Sequence, residues 1–418
     1  MSNNNHTPRH RVVVTGTGMI TPLGHNVPDT WAGILAGKSG FGPFTLIDKG
    51  EHSSGGLCEV KEFDPGMYMD RKEARRRDRV QQFATVAAAE ALRQSQFLIT
   101  DDNRENIGIF IGTGVGGLRT TIEQEHLLLE KGVRRISPFA VTMIMPNGAA
   151  GMLAIDYGIQ GPTPTIATAC ASGNDAIGHA YRAIQRGEIA AALTGGVEHV
   201  LVHCAVAGFE QARATSEKNE CTPQPFDKNR DGLIIGEGGG IMVLESLENA
   251  QARGATILGE IIGYGQTTDA YHITAPSPGG IGAARAITRA MADAGITPAE
   301  IDYISAHGTG TPLNDMYETM SIKKALGEEH AYRVAISSTK SMTGHIMGAT
   351  GAIEAIFCLL AMRDQMLPPT INYVTPDPEC DLDVVPNTAR PAQVRVALNN
   401  AFGFGGHNAV LVIKQFQP

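Results

Sequence analysis

The stretch Pro164-Thr165-Ile166-Ala167-Thr168-Ala169-Cys170-Ala171-Ser172-Gly173-Asn174 runs from a β-branched strand straight into a cysteine, and small residues then lead into a helix. This is the layout of a nucleophile elbow, in which a sharp turn pushes a reactive side chain into the open. The amides that open the following helix carry partial positive charge, which favours thiolate over thiol at Cys170. Ala169, Ala171, Ser172 and Gly173 leave room for an acyl group to approach. A buried, inert cysteine reads the same way by residue type, and this segment alone does not separate the two.

Outward from it, aliphatic or β-branched runs alternate with Ala-rich stretches. Strands are predicted at 11–15, 107–111, 164–168, 191–194, 241–244, 257–262, 301–305, 334–338 and 394–399. Helices are predicted at 80–95, 173–186, 247–253, 281–294, 315–326 and 349–363. Such alternation implies an α/β protein with helices covering its sheets. The turn at Gly254 marks a seam between halves 1–254 and 255–418, tightly connected and unlike a flexible linker. Inspection proves no internal repeat.

With 418 residues, 42% hydrophobic and only 18% charged, the chain holds ample material for a large interior. A net charge of −9 argues against nucleic acid as a general partner but leaves room for a local basic patch facing an acidic protein. No apolar run reaches membrane-spanning length, and the polar residues 1–11 carry no secretory pattern, so a soluble cytoplasmic protein is expected. Cys58, Cys170, Cys204, Cys221, Cys358 and Cys380 include no Cys-x-x-Cys pair, which speaks against a zinc knuckle or a dithiol redox site. Gly112-Thr113-Gly114-Val115-Gly116-Gly117 and Val14-Thr15-Gly16-Thr17-Gly18 imitate dinucleotide loops. Neither is followed, about 20 residues on, by the strand-ending acid such a site requires. Close backbone approach is the favoured explanation of these glycines.

Further segments carry chemistry-bearing residues at strand ends. The strand 301–305 leads to His307 and a polar Gly-Thr-Gly-Thr-Pro turn; the strand 334–338 leads through Lys340 to His345. Asn400-Ala401-Phe402-Gly403-Phe404-Gly405-Gly406-His407-Asn408 is a glycine-rich turn between closing strands, whose free amides suit an oxyanion. Taken singly, each histidine is open to a structural role. Lys340 alone reads as a surface lysine, and the glycine-rich turn as a plain hairpin.

Together, Thr-Ala-Cys-Ala-Ser-Gly at 168–173, His-Gly-Thr-Gly-Thr-Pro at 307–312, Lys-Ser-Met-Thr-Gly-His at 340–345 and Phe-Gly-Phe-Gly-Gly-His-Asn at 402–408 resemble the signatures of β-ketoacyl-[acyl carrier protein] synthases. The class II enzymes of bacterial fatty-acid synthesis are nearest, and the resemblance runs in order from Val12 to Ile413, including 136–139 and 225–228. It implies the thiolase fold: two related, layered α/β halves with five-stranded sheets, the first carrying the nucleophilic cysteine and the second two catalytic histidines. A homodimer is the family expectation.

The resemblance also implies roles. Cys170 accepts the acyl group, and His307 and His345 donate hydrogen bonds to the malonyl thioester oxygen during decarboxylation. Lys340 tunes the histidines, with Glu354 as its partner. The amides of Cys170 and Phe404 hold the tetrahedral oxyanion, and Phe404 gates the acyl pocket that Val115 lines. Thr309 and Thr311 hold the phosphopantetheine arm. Acyl carrier protein would dock on Lys72, Arg75 and Arg76, in a basic run that also holds Arg71, Arg77 and Arg79, and on Arg134, Arg135 and Arg213 elsewhere in the chain. No metal or organic cofactor is implied. His407 stands where class II members commonly have Thr, and 145–150 and Asn174-Asp175 also depart from the pattern. A discrete polyketide ketosynthase would use the same residues. A chain-length partner would lack the nucleophile, and a degradative thiolase would need a second cysteine base that neither Cys358 nor Cys380 supplies.

Overall fold

The computed structural model describes residues 9–417; the polar segment discussed above therefore falls mostly, at 1–8, outside the described residues. Ten strands form one sheet: β1 (Val12–Ile20), β2 (Ile107–Gly112), β3 (Thr165–Ile166), β4 (Ala191–Glu198), β5 (Gly238–Ser246), β6 (Gly259–Thr268), β7 (Tyr303–Ser305), β8 (Ala335–Ser337), β9 (Val396–Gly403) and β10 (His407–Lys414). Their spatial order is β3-β2-β4-β5-β1-β6-β10-β9-β7-β8. The second five repeat the first in mirror order. In each set three strands run parallel, and the strand beside them runs antiparallel to its neighbours on both sides. The sets meet where Val12–Val14 of β1 pairs antiparallel with Gly259–Ile261 of β6.

Glycine spacing sets how closely helices lie on this sheet. The helix α1 (Arg79–Ser95) is capped by Asp78 in a capping box with Gln81. It crosses β1 so closely that a Cβ on Gly16 would sit 2.2 Å from the Ala91 carbonyl oxygen, and one on Gly18 2.0 Å from that of Ala87. Two residues along a strand rise about 6.7 Å and four along a helix about 6 Å, so the contacts recur in step. The helix α3 (Ile281–Ala294) meets β6 by the same device: Cβ atoms on Gly263 and Gly265 would lie 2.5 and 2.2 Å from the Ala290 and Ala286 carbonyl oxygens. Gly18→Ala is therefore expected to destabilise the fold by about 1–3 kcal/mol, measured as a lowered guanidinium midpoint.

Between the two strand sets lie α2 (Ser172–Gln185) and α5 (Thr350–Asp364), the latter buried from Thr350 to Met362. They pack at their first turns, where a Cβ on Gly173 would be 2.8 Å from the Ala352 amide and one on Gly351 2.6 Å from the Asn174 Oδ1. The loops feeding these two helices thus converge. The helix α4 (Pro312–Leu326) follows β7, with Pro312 in its first turn.

The sequence-based elements recur with shifted ends. β1 runs on to Ile20, because Gly16 and Gly18 admit α1 without ending the strand. β3 keeps only Thr165–Ile166, pairing on one side with β2 before the backbone turns into the elbow. Among the described residues, no helix is long and apolar enough to cross a membrane.

Candidate active site

Cys170 lies in a 3-10 turn (Ala169–Ala171) between β3 and α2, and Ala169 before it has a positive φ of 51°. A side chain in that region is strained, as expected where a turn must aim its neighbour. Ser172 Oγ spans the turn, donating to the Ala169 carbonyl oxygen at 2.6 Å and accepting from the Thr168 amide at 2.9 Å. The backbone amides of Phe404 and of Cys170 itself lie near enough to the sulfur to favour its anion. The Phe404 amide is delivered by the turn after β9, where Gly405 and Gly406 hold φ of 83° and 74°.

His307 follows β7 and His345 precedes α5, and their rings stand edge to face, 5.4 Å between centroids. The His307 and Gly308 amides donate to Glu318 on α4 at 2.8 and 2.7 Å, which pins the His307 turn from beneath. His345 Nδ1 pairs with Thr350 Oγ1 at 3.1 Å. Lys340 is fully buried and donates to Glu354 Oε1 at 2.7 Å, so its solitary reading as a surface lysine is corrected.

Cys170, His307 and His345 line one cavity of about 370 Å³, together with Thr309, Thr311 and Phe404. The Thr309 and Thr311 hydroxyls are 2.9 Å apart. Phe404 leans on Phe209 with ring centroids 6.2 Å apart. Arg213 is exposed and also lines this cavity. Val115 is 46% exposed and lies outside the cavity lining in the single chain.

Lys72 and Arg75 are exposed, as are Arg134 and Arg135. The Arg76 guanidinium stacks 4.8 Å over the ring of Phe139, which draws these two basic segments together. Arg77 and Arg79 leave the basic run: Arg77 is buried against Asp156 at 2.6 Å, and Arg79 against Glu237 at 2.6 Å.

Burial dominates the electrostatics. It pushes the Cys170 thiol up to about 12; Lys340 and the two amides act against it, while Glu198 adds to it. Burial outweighs the Lys340 charge and the Phe404 and Cys170 amides, so the resting sulfur is held as a thiol. His307 is held well below its usual range by burial, then by Lys340 and His345; His345 is held there by burial and Lys340. Both imidazoles are therefore neutral, each with one N–H to donate. Burial raises Glu354 to about 7 against the pull of Lys340. Lys340→Met is thus expected to leave Glu354 as a neutral acid and to release both imidazoles upward. Any rate that needs them neutral would begin to fall at a higher pH on the acid side than in wild type, measured from the rate–pH profile.

Residues 9–250 match the family model of the β-ketoacyl synthase N-terminal domain, and residues 258–374 that of the β-ketoacyl synthase C-terminal domain. The chain belongs to the β-ketoacyl synthase family. It is 49% identical over 412 residues to the 3-oxoacyl-[acyl-carrier-protein] synthase 2 of Synechocystis sp., covering 98% of this chain and 99% of that one. Among solved structures it is similar to the ishigamide ketosynthase/chain length factor, with a TM-score of 0.91 and 38% identity over 98% of this chain and 100% of that one. It is also similar to a chain of a type II polyketide acyl-carrier protein in complex with its ketosynthase, with a TM-score of 0.89 and 34% identity over 98% of this chain and 100% of that one. The thiolase-like α/β fold expected from the motifs is the fold of this β-ketoacyl synthase.

Sequence reasoning missed Glu318, Thr350 and Glu198. The signal for Glu318 was a carboxylate on the helix after the His307 turn, eleven residues on from that histidine. An acid with no solvent must meet donors, and the nearest are the amides of that turn.

Proposed function

We propose that this β-ketoacyl synthase is a 3-oxoacyl-[acyl-carrier-protein] synthase of the class II type, elongating fatty acyl chains by decarboxylative Claisen condensation. The convergence of Cys170, His307 and His345 on one cavity carries the reading. In the first half-reaction the Cys170 sulfur attacks the acyl thioester of a carrier protein. The tetrahedral oxyanion rests on the Cys170 and Phe404 amides, the bond to the pantetheine sulfur breaks, and the thiol proton leaves on the released carrier. In the second, malonyl carrier enters with its pantetheine arm along Thr309 and Thr311. His307 and His345 donate to its thioester oxygen as the bond to the carboxylate breaks and carbon dioxide departs. The resulting enolate carbon attacks the acyl carbonyl, the carbon–sulfur bond to Cys170 breaks, the departing thiolate takes up a proton from water, and the 3-oxoacyl chain leaves on the carrier. The cycle closes without metal or organic cofactor.

The relative's identity of 49% against 38% and 34% for the two polyketide-related structures favours the fatty-acid branch. A ladder of saturated acyl carriers with malonyl carrier, read by product mass, is expected to give chains two carbons longer. Turnover of β-ketoacyl carriers alone would assign a polyketide ketosynthase instead.

Acyl carrier protein would dock on Lys72, Arg75, Arg76, Arg134, Arg135 and Arg213. Charge reversal at Lys72 and Arg75 is expected to weaken carrier binding roughly ten-fold at low salt and to flatten its salt dependence. Unchanged affinity would rule that face out. Val115, Leu129, Val133 and Val141 stay exposed and apolar around the 118–144 region, which supports a second copy of the chain covering them as a homodimer. The covered face would then bring Val115 to an acyl pocket. A cytoplasmic location accompanies this reading.

A further inference from the structure

Glu198, the last residue of β4, is fully buried in the same half as Cys170. Among the described residues no cation pairs with it. Its carboxylate instead takes three donors from two loops: Thr113 Oγ1 at 2.9 Å, the Gly114 amide at 2.5 Å and the Gly348 amide at 3.0 Å. Both glycines make room for it, since a Cβ on Gly114 or Gly348 would lie 2.8 or 2.7 Å from Glu198 Oε2. The two loops touch there as well, a Cβ on Gly348 falling 2.6 Å from the Gly114 amide nitrogen.

Each loop supplies a wall beside the nucleophile. The first leads into Leu118, which packs on the apolar cluster containing Cys170. The second carries Met347, a member of that cluster, which lines the cavity and is held at a positive φ of 40°. A strained residue persists only where its surroundings over-determine it, and the hydrogen bond to the next amide, Gly348, is part of that restraint.

We infer that Glu198 is a positioning residue for acyl transfer, stapling the Thr113–Gly114 loop to the Met347–Gly348 turn so that the walls around Cys170 hold the incoming thioester in line. This rests on the reading that Cys170 accepts an acyl group. Position and charge pull in opposite directions at this site, which makes the idea testable. The carboxylate disfavours the Cys170 thiolate, so an electrostatic role alone would make the sulfur more reactive once the charge is gone. Loss of positioning would make transfer from a carrier slower.

Glu198→Gln is to be compared with wild type in three measurements: single-turnover transfer from dodecanoyl carrier to Cys170, alkylation of Cys170 by iodoacetamide across pH, and malonyl-carrier decarboxylation. Transfer is expected to fall roughly 10- to 100-fold, while the alkylation profile moves to lower pH. Decarboxylation should stay within roughly three-fold of wild type, since His307 lies on a separate turn and His345, two residues before Met347, is held independently by Thr350. Unchanged transfer, or a parallel fall of all three rates, would overturn the proposal. Should the glutamine variant not fold, Thr113→Val removes one donor and keeps the charge. It is expected to slow transfer roughly three- to ten-fold with the alkylation profile in place, and unimpaired transfer overturns the proposal equally. A wild-type chain that takes up no acyl group sinks the synthase reading; a competent wild type beside an unimpaired variant sinks only the role of Glu198.

Discussion

Cys170→Ala is expected to abolish condensation, by roughly 10⁴-fold or more, while malonyl decarboxylation continues. In the proposed cycle the sulfur forms the acyl-enzyme bond, and the amides of Phe404 and Cys170 lie near it. Nothing that holds the histidines depends on it. His307 is fixed by the bonds of its turn to Glu318, and His345 by Thr350. The substitution removes one heavy atom from an apolar cluster that includes Leu233 and Met347, so folding should change by about 1 kcal/mol or less. Carbon dioxide released from labelled malonyl carrier measures the surviving step, and product mass measures the lost one. Condensation at the wild-type rate would remove Cys170 from the mechanism.

Local chemistry made much of this legible. The elbow at 164–174 gave its strand, turn and helix in order, because β-branched and small residues each favour one of those states. The helix 281–294 has the predicted ends, being bounded by glycines that adopt left-handed backbone at both. The duplication was hidden. It resides in Gly16 and Gly18 against Ala91 and Ala87, and in Gly263 and Gly265 against Ala290 and Ala286, pairs of small residues that carry no distinctive chemistry until helix and strand are placed together. Burial was hidden too. Lys340 looks like any lysine in the chain, and only the packing of α5 shows that it shares a dry interior with Glu354. Burial likewise holds Cys170 as a thiol although Lys340 and the Phe404 and Cys170 amides favour the anion. Arg77 and Arg79 were indistinguishable from their exposed neighbours, since their acids lie at Asp156 and Glu237, far along the chain.

The second large effect is expected at the histidines. Their neutrality is the physical point: burial and the Lys340 charge keep protons off both rings, so each acts as a donor through its remaining N–H and not as a cation. Removing one of two donors aimed at a developing enolate oxygen costs roughly 10²–10³ in rate, so His307→Ala and His345→Ala should each block decarboxylation to that extent. The double variant should add little further, because the remaining donor alone does not hold the charge. Acyl uptake by Cys170 from labelled carrier should continue in all three, since that oxyanion lies on backbone amides. The sign of the pH effect follows from the same burial. With both imidazole values well below the ordinary range, neither ring should gain a proton across that range, and decarboxylation should decline on their account only in more acid solution, as the first ring gains a proton and the neighbouring Lys340 charge opposes it. A decarboxylation rate that instead rose as pH fell through 6.5 would mean that a protonated imidazole is the working donor, and the neutral pair would lose its place in the mechanism.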